Sequence, residues 1–219
     1  MKKILLMAVF FLSLIACANT LEWPEDVDDV ATGVAACRRG DYEDAIKLLT
    51  KAIKSDKFSG NELATIHMYR GFAWEGTDNL DKAIDDYSKA IELNSQYAIA
   101  YTMRGVAWGK KGEYDKAIAD YTKALEITPK FAKAYNNRGY TWAQKGNMNE
   151  AIADYTKAIE IDPNYATAYG NRGLAWTDKG DYDKAIADFN KALEINPSYI
   201  EARENLQKAL DAKERAKGR

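Results

Sequence analysis

One histidine, His67, and two cysteines, Cys17 and Cys37, are the only imidazole and thiol groups in the 219-residue chain. They stand apart, with no CxxC, no CxxCH and no Cys/His cluster, which leaves no structural zinc site and no haem attachment. No glycine-rich phosphate loop is present, and no nucleophile stands in a pattern with a base, so the chain reads as a non-enzyme without metal or cofactor. Prolines number 4 and glycines 14, too few for a disordered or low-complexity chain. A charge excess is also missing. With 31 basic and 33 acidic residues, interspersed along the chain, the net charge is -2. That gives no basic face for nucleic acid. What is abundant is apolar residues, 47% of the total, enough for a sizeable core.

Met1-Lys2-Lys3 precedes an uncharged, mostly apolar run from Ile4 to Ala16. The run is too short to cross a bilayer core of about 30 Å, which takes roughly 20 helical residues. It reads as a secretory signal over residues 1–16, to be left out of fold reasoning. Leu14-Ile15-Ala16-Cys17 resembles the lipobox of bacterial lipoproteins, in which the cysteine thiol carries a diacylglyceryl group and becomes the mature N-terminus. Acyl burial, about 0.8 kcal/mol per CH₂, would then anchor the chain through several lipid tails. Ala18, where inner-membrane retention favours Asp, implies by the same resemblance an outer-membrane protein facing the periplasm. The alternative is an ordinary cleavage motif, Ala16-Cys17-Ala18, with a coincidental cysteine.

Self-alignment at an offset of 34 residues sets the architecture. Arg70-Gly71, Arg104-Gly105, Arg138-Gly139 and Arg172-Gly173 recur at that spacing, as do Trp74, Trp108, Trp142 and Trp176. Columns of Ala83/Ala117/Ala151/Ala185, of Tyr87/Tyr121/Tyr155/Phe189 and of Ala90/Ala124/Ala158/Ala192 follow, and Pro129, Pro163 and Pro197 close three units. Each unit carries two runs with apolar residues at i, i+3, i+4 and i+7, which predicts a pair of amphipathic helices. In the third unit these run roughly over Ile99–Lys111 and Tyr114–Glu126, joined at Lys111-Gly112-Glu113, where glycine can take positive φ. Gly105 is expected to face Ala117 at a close crossing of the two helices. A lone pair cannot bury its apolar face, so neighbours must stack and share stability.

These columns resemble the tetratricopeptide repeat (TPR) family. The resemblance implies an all-α fold, a right-handed α-solenoid of helix-turn-helix repeats. Its units are a linker over 17–25, a degenerate repeat over 26–59, four repeats over 64–97, 98–131, 132–165 and 166–199, and a capping helix and tail over 200–219. An insertion, Gly60–Leu63, separates the first two repeats. In the cap, Ile200, Arg203, Leu206 and Leu210 share a helical face expected to cover the last repeat.

Arg70, Arg104, Arg138 and Arg172 each precede an aspartate, Asp86, Asp120, Asp154 or Asp188, by sixteen positions, which predicts an ion pair across each hairpin. The tryptophans are expected to pack, not to cage a cation. His67 shares a column with Tyr101, Tyr135 and Tyr169 and reads as an aromatic substitute, and Cys37 reads as a small packing residue.

In the family, the first helix of each pair lines a concave groove that takes ligands. The carried-over lining is Val30, Ala31 and Val34, then Met68, Tyr69 and Phe72, then Thr102, Met103 and Val106. It continues with Lys133, Asn136, Asn137 and Tyr140, then Thr167, Asn171 and Leu174. About half of these are expected to be exposed, the rest packing on adjacent helices. Asn137 and Asn171 can each donate to and accept from a peptide backbone, and Tyr69, Phe72 and Tyr140 suit apolar anchors. Family members that bind chaperone tails use a Lys/Asn, Asn, Lys/Arg clamp across three repeats. Here Thr102 and Val106, and then Thr167 and Asn171, stand where its first and last members belong. The expectation is therefore an envelope scaffold or adaptor that holds a protein or peptide in the groove. It resembles bacterial repeat lipoproteins that assemble secretins or recruit cell-wall hydrolases and proteases. A soluble periplasmic or cytosolic module without an anchor is the alternative, and the oligomeric state stays open.

Overall fold

The computed structural model describes residues 25–217, with side chains over 29–216. The signal segment, Cys17 and almost all of the 17–25 linker lie outside the described residues. Within them the chain is all α, without strands. The elements are α1 (Glu25–Arg39), α2 (Tyr42–Lys54), α3 (Gly60–Gly76), α4 (Leu80–Leu93), α5 (Ala98–Lys110), α6 (Tyr114–Ile127), α7 (Ala132–Gln144), α8 (Met148–Ile161), α9 (Ala166–Asp178), α10 (Tyr182–Ile195) and α11 (Ile200–Lys217). They form five consecutive hairpins and a final single helix. Each helix packs on its successor and the first helix of each hairpin meets the first helix of the next, as in an α-solenoid. No described helix is long and apolar enough to cross a membrane.

The hairpin turn explains itself chemically. After α5 the amide of Gly112 donates to Gly109 and that of Glu113 to Trp108, which closes the last turn while Gly112 sits at φ 78°. Gly40, Gly146 and Gly180 repeat this, but the second repeat places Asp78 there at φ 58°. A side chain in that region is strained, aspartate less than most. Asp78→Gly is therefore expected to stabilise the protein by roughly 0.5–1 kcal/mol in urea unfolding, the reverse of the usual helix penalty.

The insertion is also a helical feature. Gly60–Leu63 does not form a separate linker but adds a first turn to α3, which has 17 residues where α5, α7 and α9 have 13.

Within each hairpin the core is a ring over a glycine. A methyl group on Gly105 would lie 2.8 Å from the Tyr121 ring, so Tyr121, which the sequence reading did not pair with it, is its nearest neighbour, while the equivalent Gly71 and Gly139 also approach the Ala83 and Ala151 carbonyl oxygens at 3.2 and 3.1 Å. Gly71 meets Tyr87 at 2.8 Å, Gly139 meets Tyr155 at 2.9 Å and Gly173 meets Phe189 at 2.7 Å in the same way. Ala117 is buried one turn away on the same helix, but the ring reaches over and fills the gap. Gly105→Ala is expected to cost about 1–3 kcal/mol by overpacking, read as a lower urea midpoint with an unchanged slope.

The cap differs from expectation in its face. Ala202, Leu206 and Ala209 pack on Phe189 and Ala192, whereas Ile200 is 61% and Leu210 38% exposed. Ala202 and Ala209 continue the columns of Ala168 and Ala175, so α11 docks as the first helix of a sixth repeat would, and that register turns Ile200 outward.

Candidate partner-docking wall

The first helices α3, α5, α7 and α9 are each tied to their neighbours by an arginine. Arg138 donates from Nε to Asp154 Oδ2 and from Nη2 to Asp154 Oδ1, both at 2.8 Å. Its Nη1 donates to Thr122 Oγ1 of the preceding repeat at 3.0 Å. Arg70, Arg104 and Arg172 do the same toward Asp86, Asp120 and Asp188, and toward Thr50, Ser88 and Thr156. The ion pairs are those the sixteen-residue spacing predicted. The hydroxyl column was missed, although Thr50, Ser88, Thr122 and Thr156 could have been read as a further periodic feature. One guanidinium thus ties three helices, and its planar fork satisfies the carboxylate bidentately. The aspartates are buried, with side chains only 6–9% exposed.

His67 joins this ladder in the second repeat, its Nδ1 lying 2.7 Å from Asp86 Oδ1. Burial alone would raise the Asp86 pKa. The hydrogen bonds with His67 and Arg70 outweigh it and hold the carboxyl below its usual range. His67 thus occupies the tyrosine column sterically but serves the ion pair. In the later repeats the corresponding tyrosines lie against the arginine instead, 5.5 Å from ring centre to guanidinium for Tyr135 and Arg138.

The tryptophans pack between helices, as expected, and lysines of the chain itself stand over them. Lys82 lies 4.1 Å from the Trp74 centroid, Lys116 4.5 Å from Trp108 and Lys184 4.3 Å from Trp176. The fourth repeat has Glu150 in place of that lysine, leaving Lys145 at 5.7 Å from Trp142. Cys37 is buried and its Sγ approaches the Tyr69 carbonyl oxygen at 3.5 Å. Burial pushes its thiol up to about 11, which makes it inert packing, not a nucleophile.

With the ladder fixed, the inner face of α3, α5, α7 and α9 carries residues at i, i+4 and i+7. These are Thr65, Tyr69 and Phe72, then Ile99, Met103 and Val106, then Lys133, Asn137 and Tyr140, then Thr167, Asn171 and Leu174. Tyr140 is 54% exposed, Ile99 48% and Leu174 42%. Tyr69, Phe72, Met103, Val106, Asn137 and Asn171 are half-buried along the same stripe. Ile99 was not among the sequence-derived lining residues, although its place four before Met103 and seven before Val106 marks the face.

Several expected lining residues are interior instead. Val30, Met68, Thr102 and Asn136 are buried, because they sit one position round the helix and point at the adjacent hairpin, and Val34, in the column of Phe72, is buried in a cluster with Ile66, Ala73 and Phe72 of the second hairpin. Met68 packs in the core between the second and third repeats. Thr102 is satisfied by donating to the Ala98 carbonyl oxygen at 2.9 Å. The Asn171 amide donates to Asn136 Oδ1 at 3.0 Å, so one of its two N–H groups is already engaged across the repeat junction.

A cleft of about 370 Å³ opens on this wall at the junction of the third and fourth repeats. Val106, Gly109 and Lys110 of α5 form one side, Tyr114 and Tyr121 of α6 the floor, and Asn137, Tyr140, Thr141 and Gln144 of α7 the other side.

The recurring sequence columns and the stacked hairpins match known proteins. The models described as "Tetratricopeptide repeat" and "TPR repeat" match residues 132–165 and 166–199, and residues 78–112 and 109–146, respectively. The chain belongs to the tetratricopeptide repeat family. Among solved structures, this TPR protein is similar to MamA, at 30% identity and a TM-score of 0.66, over 75% of this chain and 94% of that one. It is similar to the first TPR of Spaghetti (RPAP3) bound to the HSP90 peptide SRMEEVD, at 29% identity and a TM-score of 0.53, over 54% of this chain and 94% of that one. TTC0263, a thermophilic TPR protein in Thermus thermophilus, is 19% identical with a TM-score of 0.66; the match covers 84% of this chain and 98% of that one and shows a shared fold. Among curated proteins none matches the sequence.

Proposed function

We propose that this TPR protein is an interaction scaffold of the bacterial envelope, anchored by a lipid on Cys17 and facing the periplasm from the outer membrane. It holds a protein segment against the inner wall of α3, α5, α7 and α9. The carrying observation is that wall itself. Ile99, Tyr140 and Leu174, large and apolar, stay exposed on that stripe of α5, α7 and α9, and Tyr140 borders an open cleft. Such a patch on a rigid scaffold is the usual mark of a docking surface. The peptide bound by the similar TPR of Spaghetti (RPAP3) supports the class of ligand. It does not supply the identity, because Thr102, Val106, Thr167 and Asn171 stand where the clamp for such acidic tails would need lysine, asparagine and arginine.

Two arms test the reading. Metabolic labelling with a fatty acid is expected to tag the wild type and not Cys17→Ala; absence of label from both favours the unanchored module. Capture from envelope extract is expected to lose at least tenfold in recovered partner with Ile99→Ala/Tyr140→Ala/Leu174→Ala, since central aromatic and aliphatic anchors carry most binding energy, roughly 2 kcal/mol or more each. Equal recovery by both proteins removes the wall as the site.

A further inference from the structure

The repeats are near copies, so a place where one repeat fills a position and the next leaves it open shows what the open position was built around. In the second repeat Glu75 fills it. The Tyr87 hydroxyl donates to Glu75 Oε2 at 3.0 Å, and Lys110 Nζ of the following repeat donates to Glu75 Oε1 at 2.7 Å. The Glu75 side chain is only 10% exposed. Thirty-four residues on, Glu75 becomes Gly109, Tyr87 becomes Tyr121 and Lys110 becomes Gln144. The donors persist as a tyrosine hydroxyl and a carboxamide, and the carboxylate is gone. A methyl group built on Gly109 would touch nothing within 4 Å, and the space is the cleft described above. The fourth and fifth repeats place Ala143 and Thr177 in the column, so the glycine is particular to this junction.

We infer that the Gly109 cleft is a subsite for the side-chain carboxylate of a glutamate in the docked segment, with Tyr121 and Gln144 as its hydrogen-bond donors and Lys110 as the cation on its rim. The inference rests on the inner wall being the docking surface. Charge is compatible with it: Lys110 is the one charged residue lining the cleft, and its ammonium, which gives one N–H to Glu75, has two further N–H donors. Geometry agrees. The Tyr87 ring covers Gly71 and its hydroxyl reaches Glu75, four residues on; the Tyr121 ring covers Gly105 in the same way, and its hydroxyl lies beside Thr141, which also lines the cleft. The ligand's glutamate would thus complete in trans the contact that Glu75 makes in cis.

The test uses the full chain, ¹⁵N-labelled, and a blocked heptapeptide, Ser-Leu-Ser-Glu-Ser-Leu-Ser, with Gln-, Ala- and Lys-centred counterparts. The Glu peptide is expected to shift the Gly109 amide and the Gln144 side-chain amide and to bind about tenfold more tightly than the Ala peptide, the size of one hydrogen bond to a charged group. The Lys peptide is expected to bind weakest. Tyr121→Phe should remove most of the Glu-over-Ala preference, and Gly109→Glu, which supplies the carboxylate internally, should abolish the Gly109-region shifts. As a ligand-free check, Gly109→Glu is expected to melt higher than both Gly109→Ala and Gly109→Lys, and the margin over alanine should vanish with Tyr121→Phe. Equal affinity for the Glu and Ala peptides, preference for the Lys peptide, or a Gly109→Glu variant no more stable than Gly109→Ala would overturn the inference. Shifts at Ile99, Tyr140 and Leu174 without such a preference would leave the wall in place while the subsite fails. No shifts with any peptide would count against both.

Discussion

Asp154→Ala is expected to destabilise the protein by about 3–5 kcal/mol, near the lower end because the Arg138 side chain keeps 20% of its surface in water. The cost comes from what is left behind. Removing the carboxylate takes away two hydrogen bonds and leaves a guanidinium between α6, α7 and α8 with Thr122 as its remaining hydrogen-bond partner and the Tyr135 ring beside it. That charge cannot lose its proton to escape, since an arginine stays protonated at any accessible pH. Replacing both members, as Arg138→Leu/Asp154→Leu, is expected to cost clearly less than the single change, because no unpaired charge remains. Urea unfolding of the three proteins decides it. A double variant as unstable as Asp154→Ala would show that the pair itself, not the orphaned charge, carries the energy.

A comparable loss is expected from Tyr155→Ala. The ring is 1% exposed and fills the gap over Gly139, so truncation opens a cavity that the packed helices close only in part, at about 3–5 kcal/mol. Tyr155→Phe is the informative partner. The fifth repeat carries Phe189 in the same column, fully buried, over Gly173. If the ring is what matters, Tyr155→Phe costs under about 1 kcal/mol. A large loss with phenylalanine would assign the hydroxyl a structural role at this junction.

Most of the scaffold was legible because packing against an identical neighbour forces identical side chains, and periodicity makes those visible. The Arg–Gly, tryptophan, alanine and tyrosine columns correspond to the ion pair, the inter-helix packing and the ring-over-glycine core. In the third repeat, helix ends fell within one residue of expectation, since Gly112 and Pro129 punctuate them. What a column cannot show is direction. Gly105 was paired with Ala117 by position, yet the longer Tyr121 side chain on the same helix reaches the space first. One position round the helix separates buried Met68 from half-buried Tyr69, and buried Asn136 from half-buried Asn137. Family carry-over does not resolve that step, but the contacts do. Nor could spacing reveal that Asn171 is tied to Asn136 or that His67 joins an ion pair, because both depend on which way a polar group turns. The cleft was hidden for another reason. It arises from a side chain that is missing, at Gly109, and a gap leaves no mark in a search for what recurs.

The scaffold reading depends on partners meeting the inner wall and not the outer helices. The most direct measurement is photo-crosslinking in intact cells with the reactive side chain at position 140, on the inner face of α7, or at position 153, exposed on α8. Adducts with another protein that form from position 140 and not from 153 are the predicted result. Adducts from 153 alone would put the partner on the opposite surface and contradict the account.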